Sequence, residues 1–427
     1  MAYGKRTHLT TAMSVALAAA ICAFALSSAA IAEHQPYKRH FTSQESQRRN
    51  EQRRASGLTG EAPRRWKVSK DRISSLKKSS FWNKKPYQFS TPLVADGKLF
   101  IGADAGRFYA FALPRAKKLW EIRTEGPVQS RAEYSEGSVF VGDAKGVFYS
   151  LNAEDGAVRW SQKLDTEILA APLVAGSRVY VSTMSGRLYA LDAGSGSEHW
   201  HTDTSEREFG FSVRRAAAPV YSNGLIYQGT STGDIRAIRE SDGSIAWVRK
   251  LGNMREMVYD VDSTPLLYEN RLYTASADGA LYALNPGSGS VDWTSEGGGV
   301  GDIRVHEGRL YSSGGGSLYA LDPATGKIFW QQDLEKPAIS SPAAGQGFIA
   351  VVSTTDKIFI IESETGDIAY ERFVKKGSFG DPFVHENKVY MLSNSGKLYS
   401  FKVERRHEKE KKPKKSGKSV ARLTHIW

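Results

Sequence analysis

The chain has 427 residues, 40% of them hydrophobic, a formal charge of +12 and one cysteine. That length and hydrophobic fraction suffice for two or three ordinary domains or one large repetitive one, and exclude a chain too polar to bury a core. The cysteine, Cys22, lies within the first 32 residues, so the chain beyond them has no disulfide, no thiolate metal site and no cysteine nucleophile.

Those first 32 residues read as a cleaved secretory signal. Lys5 and Arg6 precede an apolar run from Ala12 to Leu26, and Ala30-Ile31-Ala32 supplies a small-residue cleavage site before Glu33. The run is short for a membrane-spanning helix, and nothing later in the chain is apolar enough for one. Residues 33–65 carry eight cations against four carboxylates and hold few apolar residues, so they are expected to be disordered.

From there the chain repeats. Eight strand-like units follow one another: "GRFYAF" from Gly106, "GVFYSL" from Gly146, "GRLYAL" from Gly186, "GDIRAI" from Gly233, "GALYAL" from Gly279, "GSLYAL" from Gly316, "DKIFII" from Asp356 and "GKLYSF" from Gly396. An aromatic stands fourteen residues after the start of each of the first seven: Trp120, Trp160, Trp200, Trp247, Trp293, Trp330 and Tyr370. Between strand and aromatic lie turn sequences such as "NAEDG", "DAGSG" and "DPATG", whose Asp, Asn, Pro and Gly suit tight connections. Each period holds about four short strands, the pattern of radial antiparallel blades. The expectation is all-β: one eight-bladed propeller of four-stranded blades over residues 66–402, followed by a basic, disordered tail over 403–427.

The eighth unit lacks its aromatic, because the position fourteen residues on is Glu410. At the other end Trp82 has no preceding partner strand. The last blade is therefore expected to be completed by both termini, with the strand around Trp82 beside the one ending at Phe401, which leaves no open sheet edge. Trp66 is the alternative, with a longer connector to Pro92.

Periods vary from 37 to 47 residues while the Gly-to-aromatic segment stays constant, so added length falls outside that segment. Two connectors stand out, His201 to Ala218 and Val248 to Thr264. Links from the outer strand of one blade to the inner strand of the next share one face, which makes that face the candidate binding surface.

The repeat "LYALD…TG…W" resembles that of pyrroloquinoline-quinone (PQQ) enzymes, a repeat class with many quinone-free members. "FSVRRAAAPVYSNG" and "YDVDSTPLLYENRLYTASADGALYALNPGSGSVDW" resemble more closely the BamB family, propeller subunits of the outer-membrane β-barrel assembly machinery. That resemblance implies a periplasmic scaffold supporting barrel-protein assembly. It implies that Phe211, Val213 and Arg214 meet the periplasmic domains of the barrel-inserting subunit, with Asp260 and Asp262 as an acidic pair. An exposed apolar pair beside an arginine is a composition common at interface hot spots; covering the propeller rim, and a turn cap for Asp260, are the structural alternatives. The chain departs from the family's lipobox, since Cys22 follows Ala20-Ile21, so a soluble, unlipidated protein is expected.

Residues 402–427 carry ten cations against three carboxylates. Those tails either aid solubility or meet an anionic membrane surface or another polyanion. Nucleic acid is not an expected partner of a secreted chain, and a monomer is expected. The alternative function is a PQQ-dependent oxidoreductase or a quinone-free ligand sensor. His199 and His201 straddle Trp200 without a third ligand at a recognisable spacing, and "GGGVG" and "GGGS" (297–301 and 314–317) sit between strands as tight loops. With no Ser-His-Asp or paired-carboxylate constellation, no catalytic residue, cofactor or metal is expected.

Overall fold

A computed structural model describes residues 66–76, 88–202, 217–251, 261, 263–276, 279–296 and 301–405. These form eight four-stranded antiparallel sheets. Blades 1 to 7 span residues 93–123, 133–163, 173–201, 220–250, 266–296, 304–333 and 343–373, each running in chain order from inner to outer strand. Blade 8 takes its three inner strands from residues 383–405 and its outer strand, Trp66–Ser75, from the other end of the chain. The first strands of blades 8 and 1 touch, as do those of blades 7 and 8, so the ring closes.

Burial follows position in the blade. Second and third strands are covered on both faces by neighbouring blades and are nearly continuous apolar runs, as in Leu99-Phe100-Ile101 and Phe108-Tyr109-Ala110, all essentially buried. Fourth strands have one face in solvent and alternate, as in Val158–Lys163. Inner hairpins turn on pairs with positive φ at both residues, such as Asp96-Gly97 and Glu136-Gly137, the twist that suits a two-residue hairpin.

The recurring tryptophan staples each blade to the next. The Trp200 indole of blade 3 lies flat on Gly243 in the outer turn of blade 4. A Cβ there would come 2.6 Å from the ring, and φ of +75° already favours glycine. The same indole N–H donates to the Glu240 carbonyl at 3.0 Å. Trp120 on Gly156, Trp160 on Gly196, Trp247 on Gly289, Trp293 on Gly326 and Trp330 on Gly366 repeat this. Each of those indoles also donates to a carbonyl of the next blade's turn, at 3.0–3.2 Å. Behind each tryptophan a second-strand aromatic packs at a tilt, with ring centroids 5.8–6.0 Å apart. Just before each tryptophan, a one-residue bulge in the outer strand offsets the ladder, as between Ala190 and Leu191. Such bulges leave each outer edge a poor template for another strand.

The closing strand carries Trp66, which corrects the expectation that it is the strand around Trp82; Trp82 itself lies outside the described residues. Trp66–Ser75 pairs along Lys397–Arg405, and its bulge falls between Lys70 and Arg72, opposite Phe401 and Ser400. That is the repeat's register, with Arg72 at the position of the tryptophan. The long connector to blade 1 is no obstacle, because both of its described ends are held on blade 8. Leu76 N–H donates to the Gly396 carbonyl at 2.9 Å, and Gln88 N–H to Asn394 Oδ1 at 3.2 Å. Loop-closure cost grows only slowly with length.

Both flanks of blade 8 lack the staple, and for matching reasons. Blade 8 has no outer hairpin turn for blade 7 to dock on, and blade 7 carries Tyr370 instead of tryptophan. Blade 1 turns through Leu113-Pro114-Arg115-Ala116 without glycine, and the described residues of blade 8 offer it no indole. Trp66 instead packs edge-on against Phe348 of blade 7, 5.9 Å between centroids, and over Gly347. Among the described residues its buried indole N–H has no acceptor.

Trp330→Ala should cost about 3–5 kcal/mol in urea unfolding, while Tyr370→Ala, at the seam without a staple, should cost much less. Equal losses would remove the staple from its role. Deleting residues 66–75 should expose the Lys397–Arg405 edge, lower the melting temperature and cause aggregation detectable by light scattering.

Candidate functional site

Antiparallel blades sort the loops by face. Outer turns bearing the staples lie with the inner hairpins on one face; the blade-to-blade connectors lie on the other, with the loops between second and third strands. A short connector is pinned along its length. Ile168, between blades 2 and 3, is buried over Gly142, where a Cβ would come 2.2 Å from its side chain, and its N–H donates to the Asp143 carbonyl at 3.1 Å. Val128 does the same over Gly102, with its N–H on the Ala103 carbonyl at 3.3 Å.

The two long connectors keep these anchors and insert residues between them. Thr202 is buried, and its Oγ1 accepts from Leu188 N–H at 2.9 Å; Leu251 N–H donates to the Gly233 carbonyl at 2.8 Å. At their far ends Ala217 and Val261 meet over Gly229 of blade 4, where a Cβ would lie 3.2 Å from the Ala217 Cβ and 2.2 Å from the Val261 carbonyl. The anchors that follow the two insertions in the chain therefore sit side by side on blade 4. Phe211, Val213 and Arg214 of the first, and Asp260 and Asp262 at the end of the second, lie outside the described residues.

In "DVDSTP" the described residues are structural. Val261 is the fully buried plug of its connector, and its N–H donates to the Thr230 carbonyl at 3.0 Å. Ser263 Oγ accepts from Ala275 N–H at 2.8 Å and donates to the Ala275 carbonyl at 3.0 Å. Thr264 N–H donates to Asp302 Oδ1 at 2.8 Å.

That last bond opens an arc of inter-blade bonds at the inner strands. Asp302 N–H donates to Ser341 Oγ at 3.0 Å, Ser341 N–H to Asp381 Oδ1 at 2.9 Å, and Asp381 N–H to Thr91 Oγ1 at 3.2 Å. Blades 5, 6, 7, 8 and 1 are thus linked at their inner strands, whereas blades 2 to 4 carry Arg131, Ala171 and Ala218 at that position. Sequence reading missed the clasp. Its signal was a hydroxyl or carboxylate residue recurring just before each of these inner strands, in "STP", "GDI", "SSP" and "GDP".

Of the histidine pair, His201 Nδ1 lies 2.7 Å from Glu198 Oε1 and its ring packs against Tyr189. Among the described residues no group of three or more His, Cys, Asp or Glu is placed to hold a metal. "GGGS" forms the turn between the second and third strands of blade 6, and a Cβ at Gly316 would collide with the Lys336 carbonyl.

One carboxyl on the connector face is strongly perturbed. Burial pushes Asp104 up to about 7 from 3.8, against the opposing effect of a hydrogen bond from Gln129 Nε2 at 3.3 Å. Folding favours its protonated form, a contribution present below about pH 4 and lost as pH rises through about 7. Asp104→Asn should therefore raise the melting temperature at pH 8 and change it little at pH 4. Equal effects at both values would show that Asp104 does not titrate in that window.

The family described as "Outer membrane protein assembly factor BamB" matches residues 114–315 and 314–409. The BamB protein of Yersinia pestis is 28% identical over 198 residues, 44% of this chain and 50% of that protein, so the match spans about half the length of this curated relative. The crystal structure of BamB from Moraxella catarrhalis covers 79% of this chain and all of its own, with a TM-score of 0.67 at 22% identity. A europium-containing methanol dehydrogenase covers 78% of this chain and 93% of its own, with a TM-score of 0.63 at 14% identity, a likeness of fold alone. With the family matched across well over half its length, from the first blade to the last, this chain belongs to the BamB family of outer membrane protein assembly factors.

Proposed function

We propose that this chain is a non-catalytic periplasmic scaffold that supports the assembly of outer-membrane β-barrel proteins. In this reading the insertions at 203–216 and 252–260 bind the periplasmic domains of the barrel-inserting subunit. The observation that carries it is the meeting over Gly229 of Ala217 and Val261, the anchors that follow the two insertions in the chain, on the face where loop length is free to vary. Phe211 and Val213 provide the apolar anchor, Arg214 the charged orienting group, and Asp260 and Asp262 restrain the arginine or meet a basic partner residue. Buried anchors under the insertions allow their tips to change without disturbing the blades.

The alternative, a PQQ-dependent oxidoreductase or a quinone-free ligand sensor, is supported by the dehydrogenase-like fold alone. Dye reduction on adding quinone and calcium would favour the enzyme.

Arg214→Glu should weaken capture of the barrel-inserting subunit from an envelope extract by about 2–5 kcal/mol if the guanidinium is a buried, paired anchor. The melting temperature should stay within about 1 °C. Unchanged capture with both Arg214→Glu and Phe211→Ala would exclude this loop as the contact.

A further inference from the structure

We propose that the outer rim of the seam between blades 7 and 8, centred on Phe373, docks onto an anionic lipid surface. Phe373 ends the outer strand of blade 7 and is 67% exposed, more than any other large hydrophobic side chain among the described residues. Beside it in the chain and across the seam lie cations from three segments. Arg372 precedes it and Lys375 and Lys376 follow, all exposed. Lys70 comes from the neighbouring closing strand, and Lys397 from the strand paired with it.

Tyr399 ties the group together. Lys70 Nζ sits 5.5 Å from the centre of its ring. Its hydroxyl is hydrogen-bonded by the Lys375 backbone and feels the charge of Arg372. Burial first, then the charges of Arg372 and Lys397, hold Lys70 below its ordinary value, as expected where like charges gather. Among the residues whose side chains are described, a set that leaves out 71–75, no carboxylate pairs with any of the five cations. Glu371 is taken by Lys357, Asp356 by Lys336, Glu404 by Lys402 and Glu362 by Arg405.

An exposed aromatic next to a cluster of cations suits a phase that is anionic at its boundary and apolar just beneath. An acidic protein would need a pocket shaped for one phenyl ring, whereas a lipid surface needs none. Chain topology adds to the match, since both ends of the described chain, Trp66 and Arg405, pair on this same blade. The sequences beyond them bring most of the chain's formal +12, while residues 66–401 sum to about −1. Blade 8 is four blades from blade 4 in a ring of eight, so this rim lies across the molecule from the two insertions. The proposal stands without the partner-binding reading: a lipid contact here leaves those loops accessible, and Arg214→Glu should not affect it.

Co-sedimentation of the purified full chain with phosphatidylcholine vesicles, with and without phosphatidylglycerol, tests the idea. Binding is expected only with the anionic lipid and should weaken as salt is raised. The combined Lys70→Gln, Arg372→Gln and Lys397→Gln variant should bind on the order of a hundredfold more weakly. Phe373→Ser should bind about tenfold more weakly and Phe373→Trp at least as well as the parent, with unchanged melting temperatures throughout. Variants that bind like the parent would assign any lipid contact to the basic termini and overturn the proposal. So would equal binding to neutral vesicles, or capture of soluble polyglutamate, in place of vesicles, through the same five cations.

Discussion

The contact between a tryptophan and the next blade's turn organises the rest of this molecule. A flat indole needs a surface without a Cβ and an acceptor at the edge of its ring. Gly243 and the Glu240 carbonyl supply both for Trp200, and five other blade pairs reproduce the arrangement. The geometry repeats only if strand, turn and bulge keep the same length each time, which is why the aromatic returns at a fixed distance. Rigid spacing on the turn face transfers all freedom in length to the connectors. The face that can vary, and so carry recognition, is a consequence of the face that cannot.

The same logic explains the exceptions. A blade assembled from two chain ends has no outer hairpin, so it offers the preceding blade no glycine and needs no indole from it; Tyr370 stands there instead. Backbone pairing takes over at this seam. Trp66–Ser75 follows the whole of Lys397–Arg405, beyond the point where other blades turn, and Trp66 reaches back to Phe348. The clasp from Thr264 to Thr91 crosses this region at the inner strands, linking blades 7, 8 and 1 where staples are missing. An open ring is thereby held at its axis by side-chain hydrogen bonds and at its rim by a ladder.

Family membership and fold bear differently on function. The propeller is shared with a europium-containing methanol dehydrogenase at very low identity, as expected of a scaffold that hosts unrelated chemistries. The features to which function is assigned are local: the two long connectors before and after blade 4 in the chain and the cation-rich rim beside blade 8. In the motif "DVDSTP", Val261, Ser263 and Thr264 are fixed by packing and backbone bonds.

Eight blades, their four-strand period, the constant turn face and the variable connector face were all legible in the residues alone. Each follows from interactions within one period, where alternation, turn residues and spacing write the geometry directly. The anchors of the candidate site were legible only as long connectors, and their meeting over Gly229 was not, because it depends on blades packing side by side. The choice of Trp66 over Trp82 for the closing strand was decided in three dimensions. It rests on a register between residues more than three hundred positions apart, and such pairing leaves no periodic trace in either segment. The clustering of Lys70, Arg372 and Lys397 has the same origin. No stretch of sequence holds all three, and only closure of the ring puts their like charges within reach of one another.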